Sequence, residues 1–229
     1  MDKALKRSIL QRKIYFASKS LYKMTGILPA PWATPHSVDD KPVYFIHIPK
    51  SAGSSLKTLL GCKLGKTTHA MPRLVMRKRQ WHDSFVITAV RQPFERFVSS
   101  YSFVVKQKNG RVLHRMYGAM LDTLDPFEYL EFIQQFPEKL GFQTQWTHYP
   151  SRRKPKADLI LRVEESDHWR DQLLAAGITD LPQTVERRNA SRQAGEGPED
   201  VLGLEGPDLT ALECRVKEVF AVDYEAFGY

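Results

Sequence analysis

Residues 43–60 join an apolar run, a loop of small and charged residues, and a helical pattern without a gap. The run that begins at Val43 is rich in β-branched and aromatic residues and predicts a buried strand. The loop contains Lys50, Gly53 and three serines, and a helix is predicted directly after it. The first backbone N–H groups of a helix have no partner within it, so such a loop can enclose an anion. The segment therefore predicts either an anion-binding loop or an ordinary connection between a strand and a helix.

A second segment has the same order. Residues 85–90 predict another apolar strand, and Arg91 follows at its end. Gln92 and Pro93 open a helix. Proline is favoured in the first helical turn because the N–H group that it lacks would have no partner within the helix there. Arg91 and Ser99 are expected to converge on one ligand group, whereas Arg96 taken alone is expected at the surface or in an ion pair. The apolar residues of the helix recur at helical spacing: Phe94, Phe97, Val98, Tyr101, Val104 and Val105.

Together these segments resemble the donor-binding motifs of the sulfotransferases that use 3′-phosphoadenosine-5′-phosphosulfate (PAPS), the activated sulfate donor. Residues 45–55 are similar to the loop that binds the 5′-phosphosulfate, and residues 90–101 to the 3′-phosphate motif. Within that family the chain is most similar to the glycan O-sulfotransferase branch, which includes heparan sulfate 2-O-sulfotransferase and bacterial relatives. One departure is Gln92, where the family usually has Asp or Asn. Weaker matches extend the resemblance over residues 42–229, at 143–145, 157–164, 188–191 and 223–229.

The resemblance implies sulfuryl transfer from PAPS to a hydroxyl of a carbohydrate acceptor, a polysaccharide or a glycolipid, without a metal. Lys50 would neutralise charge on the leaving phosphate, as cations do in phosphoryl transfer. The residues implied in donor binding are Lys50, Ser51, Ala52, Gly53, Ser54 and Ser55 in the first motif, and Arg91 and Ser99 in the second.

An attacking hydroxyl also needs a general base. Among the seven histidines, His69 is the predicted base, because it falls between the two donor motifs, where relatives place a histidine. A polar loop histidine without a catalytic role is the alternative for His69, and His82 is the second candidate base. His47 falls within the first predicted strand and is expected to be a core or support residue.

Two other classes of function stay open. A P-loop-type nucleotide or small-molecule kinase would need a complete Walker A motif, but residues 61–67 have three residues between their glycines where four are required. A non-catalytic binder of acidic glycans or nucleic acid would explain the basic charge but not the paired motifs. Basic residues interleaved with aromatic ones favour nucleic acid, and that pattern is weak here, so no nucleic-acid partner is predicted.

Composition and pattern predict an α/β, P-loop-like three-layer fold with a central, mainly parallel sheet flanked by helices. The 229 residues are 42% hydrophobic and can bury one sizeable core. There is no apolar run of membrane-spanning length and no apolar core of a signal peptide, so a cytoplasmic protein is expected. Both cysteines, Cys62 and Cys214, are expected to be buried thiols, and residues 192–208 are expected to be a mobile loop.

The basic residues concentrate near the N-terminus of the chain. The net charge is +8, and residues 1–23 contain seven basic residues against Asp2 alone. A basic amphipathic helix is predicted over 1–27, and the predicted division is a helical lead with a proline-containing linker at 1–40 and a sulfotransferase domain at 41–229. The lead is expected either to contact an anionic membrane surface or a partner, or to pack on the domain.

Overall fold

The computed structural model of the protein describes residues 33–62, 69, 71–72, 78–108, 114, 117–135, 140–148, 156–183 and 195–229. The chain divides into two compact units. Within the described residues, the sheet unit contains 33–91 and 143–183, and the helical unit contains 92–142 and 195–229. The prediction of a helix over 1–27 lies outside the described residues.

The sheet has the strand order β1 (Ala33–Val38), β2 (Lys41–Ile46), β3 (Phe85–Val90) and β4 (Leu159–Arg162). β2, β3 and β4 are parallel neighbours, with Ile46 opposite Thr88 and Val90 opposite Arg162. The predicted α/β fold with a mainly parallel sheet is thus confirmed. Because parallel strands end at the same edge, the residues that follow β2 and β3 emerge at one edge of the sheet, where ligands of such sheets bind.

β1 is an addition to what the sequence predicts. It pairs with β2 in antiparallel orientation, although residues 33–38 fall within the segment predicted as a linker. Pro35 lies in this strand, and proline is tolerated in strands that have a partner on one side only.

The helices of the described residues have the following bounds: α1 Gly53–Leu59, α2 Lys78–His82, α3 Pro93–Tyr101, α4 Pro126–Gln135, α5 Thr144–Thr147, α6 Trp169–Ala175, α7 Pro198–Leu202, α8 Gly206–Val219 and α9 Ala221–Phe227. α3 continues as a π-helical turn over Ser102–Lys106. Turns of 3₁₀ helix cover Gly118–Asp122 and Val163–His168. The predicted mobile loop at 192–208 is wrong in part, because α7 lies within it.

Each unit has its own hydrophobic core. In the sheet unit, β2 and β3 present almost continuous apolar runs, as strands covered on both faces do. Their buried side chains pack with those of α1 and α6, among them Val43, Leu56, Ile87, Trp169 and Leu173. In the helical unit the core includes all six apolar positions predicted from residues 94–105, together with Leu130 and Ile133 of α4.

Three predictions of side-chain burial are wrong. The helix-start pattern at Asp125–Glu128 predicts a helix with Phe127 on its buried face, but Phe127 of α4 is 37% exposed. Cys214 is exposed on α8, and Cys62 is half-buried, so neither thiol is fully enclosed. Of the two expectations for Arg96, the surface position is wrong: the side chain is buried on α3, and its Nη1 donates a hydrogen bond to the carbonyl of Gly141 at 2.9 Å.

Candidate active site

The loop between β2 and α1 has an unusual backbone. Lys50 and Ala52 have φ angles of 65° and 47°, in the left-handed region that non-glycine residues rarely occupy. Each such residue costs on the order of 1–3 kcal/mol and persists only where its surroundings hold it. The carbonyl of Ala52 accepts hydrogen bonds from the N–H groups of Ser55 and Leu56, which starts α1 directly after the loop. The positive φ angles of Lys50 and Ala52 therefore make this loop energetically more costly than an ordinary connection between a strand and a helix.

Lys50 and Arg91 lie in the segments that follow β2 and β3, where these two parallel neighbours end. Both side chains are half-buried. Burial, and secondarily the positive charge of Arg91, lower the pKa of Lys50 from 10.5 to about 8. Two cations placed this close favour the binding of an anion with more than one negative charge, because it relieves their repulsion and replaces lost hydration. The structure thus brings together the two charged residues that the sequence predicts for donor binding.

The smaller residues of the first motif surround the same turn. Ser51, Gly53 and Ser55 are buried, whereas Ala52 and Ser54 are half-buried. The hydroxyl of Ser51 donates a hydrogen bond to Gln143 Oε1 at 3.1 Å. Ser51 is therefore committed to a protein contact in addition to its predicted place in the donor loop.

Gln143 is a residue that sequence reasoning missed as part of the site. It precedes α5, its side chain is fully buried, and its Oε1 accepts a hydrogen bond from the Arg91 backbone N–H at 2.9 Å. Its Nε2 donates to the Arg91 carbonyl at 2.8 Å. The Gln143 side chain and its bonds to Ser51 and Arg91 are named the Gln143 bridge. The available signal was the partial motif match at 143–145, which gave no indication of this role.

Three residues that meet at the start of α1 are His47, Gly53 and His69. The His47 ring is buried, and it lies edge-on to the His69 ring with 4.3 Å between their centroids. A Cβ on Gly53 would lie 1.9 Å from His47 Cδ2, so only glycine leaves room for this ring. The prediction of His47 as a core or support residue is consistent with this packing.

The two histidines of this pair differ in their environment. Burial, and next the positive charge of His69, lower the pKa of His47 from 6.5 to about 3. His47 is therefore neutral at physiological pH and a very weak base. His69 is exposed, and its backbone carbonyl accepts a hydrogen bond from Trp146 Nε1 at 3.0 Å. His82, the second candidate base, is exposed at the end of α2.

The second motif continues into the helical unit. Gln92 caps α3, with its Oε1 accepting a hydrogen bond from the Glu95 N–H at 2.7 Å, so glutamine does here what a shorter Asp or Asn does at such a position. Its Nε2 also donates to the hydroxyl of Tyr224 at 3.3 Å. Ser99 is buried on α3. The convergence of Ser99 and Arg91 on one ligand group stays a prediction.

Two further findings concern the described ranges. Among these residues, no group of three or more His, Cys, Asp or Glu side chains is placed to hold a metal ion. Across the same part of the chain, no helix combines the length and apolar character that crossing a bilayer requires.

The chain was compared with known proteins. Residues 37–229 match the model of a family described as the sulfotransferase family. That range includes β2, the loop at residues 47–52 between β2 and α1 (named the Lys50 loop), Arg91 and the Gln143 bridge. No curated protein and no solved structure gave a significant match.

Proposed function

Because the chain belongs to the sulfotransferase family, we propose that it transfers a sulfuryl group from PAPS to a hydroxyl of a carbohydrate acceptor. The observation that supports this most directly is the placement of Lys50 and Arg91 at the edge where two parallel strands end, with the charge of Arg91 contributing to the lowered pKa of Lys50. PAPS is a polyanion with a phosphosulfate and a separate phosphate. A half-buried pair of cations suits this polyanion better than it suits a neutral ligand.

In the proposed reaction the acceptor oxygen attacks sulfur in line with the bond to the 5′-phosphate oxygen. An oxygen–sulfur bond forms to the acceptor, the sulfur–oxygen bond to the phosphate breaks, and 3′-phosphoadenosine-5′-phosphate (PAP) leaves with the electron pair. Negative charge then grows on the phosphate oxygen. Lys50, with its loop, would stabilise this charge more strongly in the transition state than in the ground state, which is what accelerates the step.

The acceptor hydroxyl must lose its proton as it attacks. We propose His69 as the group that takes this proton, since it is exposed to an approaching acceptor and its backbone is fixed by Trp146. His47 is unsuited to this task because its pKa of about 3 makes it a very weak base. The role of His47 in the proposal is to support the His69 ring through their edge-on contact.

The acceptor is proposed to be a polysaccharide or a glycolipid, which the positive net charge of +8 would attract if it is itself anionic. We further propose a cytoplasmic enzyme that touches an anionic membrane surface through residues 1–27. Such contact would bring the site close to lipid-linked acceptors.

Calorimetry with PAP in the presence of EDTA tests the donor. We expect PAP to bind and ATP, which lacks a 3′-phosphate, not to bind. Arg91→Ala or Ser99→Ala should weaken PAP binding by about 10- to 150-fold, the equivalent of a lost charge-assisted hydrogen bond of roughly 1.5–3 kcal/mol. Equal binding of ATP and PAP would contradict the proposal and favour a nucleotide kinase.

Transfer itself is tested with donor labelled in its sulfate and a panel of polysaccharides, glycolipids and phenols. Label should appear in a carbohydrate acceptor in wild-type protein and not in Lys50→Ala. Binding of acidic glycans without transfer of label to any acceptor would instead identify a non-catalytic binder.

A further inference from the structure

Building on the proposed function, we propose that Gln143 is a positioning residue that fixes the Lys50 loop and Arg91 in their donor-binding arrangement before the donor arrives. Gln143 is separated from Ser51 by 92 positions and from Arg91 by 52. It thus ties together three segments that are distant in sequence, two of which carry the predicted donor-binding charges.

The hydrogen bonds of the Gln143 bridge determine the orientation of its amide group. Arg91 offers a backbone N–H and a carbonyl just after β3 ends, where the ladder to β4 no longer satisfies them. The amide oxygen of Gln143 accepts a hydrogen bond from this N–H, and the amide nitrogen donates one to this carbonyl. The side-chain amide thus bonds to the Arg91 backbone as the backbone of a neighbouring strand would. The same oxygen accepts from the Ser51 hydroxyl. An Asp or Glu could accept both bonds but, when ionised, could not donate to the carbonyl.

The bridge opposes a repulsion. The charge of Arg91 contributes to lowering the pKa of Lys50, which means that the two cations destabilise one another in the ligand-free protein. This repulsion favours separation of the loop from the end of β3, beyond the last residues that the pairing of β2 with β3 holds together. Three hydrogen bonds made by the fully buried Gln143 side chain provide a restraint against it. The donor then meets charges that are already in place, so binding does not have to supply the energy of bringing them together.

The short helix that follows Gln143 extends the same function toward the candidate base. Trp146 lies one helical turn after Gln143, is fully buried, and donates its indole N–H to the carbonyl of His69. Residues three apart on a helix share one face. A single turn of helix therefore contacts the Lys50 loop, the Arg91 backbone and the His69 backbone.

The test compares Gln143→Met with wild type and with Ser84→Ala. Methionine has nearly the volume of glutamine and makes none of the amide's bonds. Ser84 supplies a matched control, because its buried hydroxyl donates to the Trp81 carbonyl at 3.2 Å just before β3, at the opposite end of that strand from Arg91. Gln143→Met should weaken PAP binding roughly 10- to 100-fold, whereas Ser84→Ala should lower the melting temperature and leave PAP affinity within about twofold, since it touches no site residue.

Hydrogen exchange in the ligand-free protein gives a readout that does not depend on PAP. The Arg91 amide should lose protection in Gln143→Met and retain it in Gln143→Glu, which keeps the accepting oxygen. If Gln143→Met does not fold, Gln143→Glu is the second variant, and loss of Arg91 protection in folded Gln143→Glu overturns the inference. Unchanged Arg91 protection, or unchanged PAP affinity, in a folded Gln143→Met protein overturns the inference. Wild-type protein that binds no PAP overturns the proposed function instead, and the exchange data still decide whether the bridge holds Arg91.

Discussion

Lys50 shows how a single residue can be costly for folding and useful for binding. It occupies the left-handed region at φ 65°, it is half-buried, and the positive charge of Arg91 helps to lower its pKa. Each of these features disfavours the ligand-free protein. A polyanionic donor reverses the electrostatic part of this cost, so part of the affinity comes from relieving it.

This argument predicts the pH dependence of donor binding. The pKa of Lys50 is about 8 in the free protein, and a bound phosphate should raise it, so PAP affinity should be nearly constant between about pH 7 and 8 and fall up to tenfold per pH unit above that range. Calorimetry between pH 7 and 10 measures this. Lys50→Met has the same left-handed backbone at position 50 but lacks the charge. It should bind PAP weakly, and its PAP affinity should not fall above pH 8. A decline of equal slope in Lys50→Met would contradict the assignment to Lys50.

The same shift has a consequence for stability, with a defined sign. The folded pKa of about 8 lies below the ordinary value of 10.5, so between these values the unfolded chain binds more protons than the folded protein. The contribution of Lys50 to the free energy of unfolding is therefore least favourable below pH 8 and improves as the pH rises to 10.5. Lys50→Met should lack this improvement, and urea unfolding at pH 7 and pH 10 would show it.

His69 carries the third prediction at the scale of residues. His69→Ala should lower kcat by about 10²- to 10⁴-fold, the usual contribution of a general base, while PAP affinity changes little. The measurement is turnover of a soluble acceptor at saturating donor. His82→Ala is the matched control, since His82 is also an exposed histidine of the sheet unit. Near-full activity in His69→Ala combined with a large loss in His82→Ala would move the base assignment to His82.

At the scale of elements, the end of β2 and the start of α1 are fitted to one another through Gly53 and His47. Gly53→Ala would put a methyl group within 2.1 Å of both His47 Cδ2 and Nε2. We expect the His47 ring to be displaced and the protein to lose about 1–3 kcal/mol of stability, as overpacked cores do. Thermal and urea unfolding would measure this loss.

A double variant provides the control. In Gly53→Ala/His47→Ala the ring that would clash with the new methyl group is absent. Adding the methyl group to His47→Ala should therefore lower the free energy of unfolding much less than adding it to the wild-type protein. If Gly53→Ala costs the same with and without His47, backbone conformation and not the ring explains the glycine.

The elements that could be predicted from the sequence are those whose pattern lies within a few consecutive residues. β3 has the predicted bounds, because six consecutive apolar and β-branched residues do not fit a surface helix. The helix start at Asp125 was also predictable, and the structure shows the reciprocal bonds of a capping box, with Asp125 Oδ1 accepting from the Glu128 N–H and Glu128 Oε2 from the Asp125 N–H. The Gln143 bridge was not predictable, since a buried glutamine has no periodic signature and its partners lie far along the chain. β1 was missed because its proline favoured a linker.

At the scale of the whole molecule, the family match covers residues 37–229 and the sheet begins at Ala33. Residues 1–32 lie outside both. Their basic charge is the reason for the proposed membrane contact. A deletion must stop before β1, because this strand pairs with β2 and its removal would damage the sheet whatever the preceding residues do.

A variant lacking residues 1–31 should therefore keep its melting temperature and its turnover of a soluble acceptor, and should lose binding to vesicles that contain anionic lipid, because seven basic residues are removed with it. Vesicle co-sedimentation at low and at physiological salt measures the binding, and neutral vesicles provide the lipid control. A variant lacking residues 1–40 should lose thermal stability as well, since it lacks β1. If instead the shorter deletion already lowers the melting temperature strongly while binding to anionic vesicles persists, then residues 1–31 pack on the domain, and the proposed membrane contact is wrong.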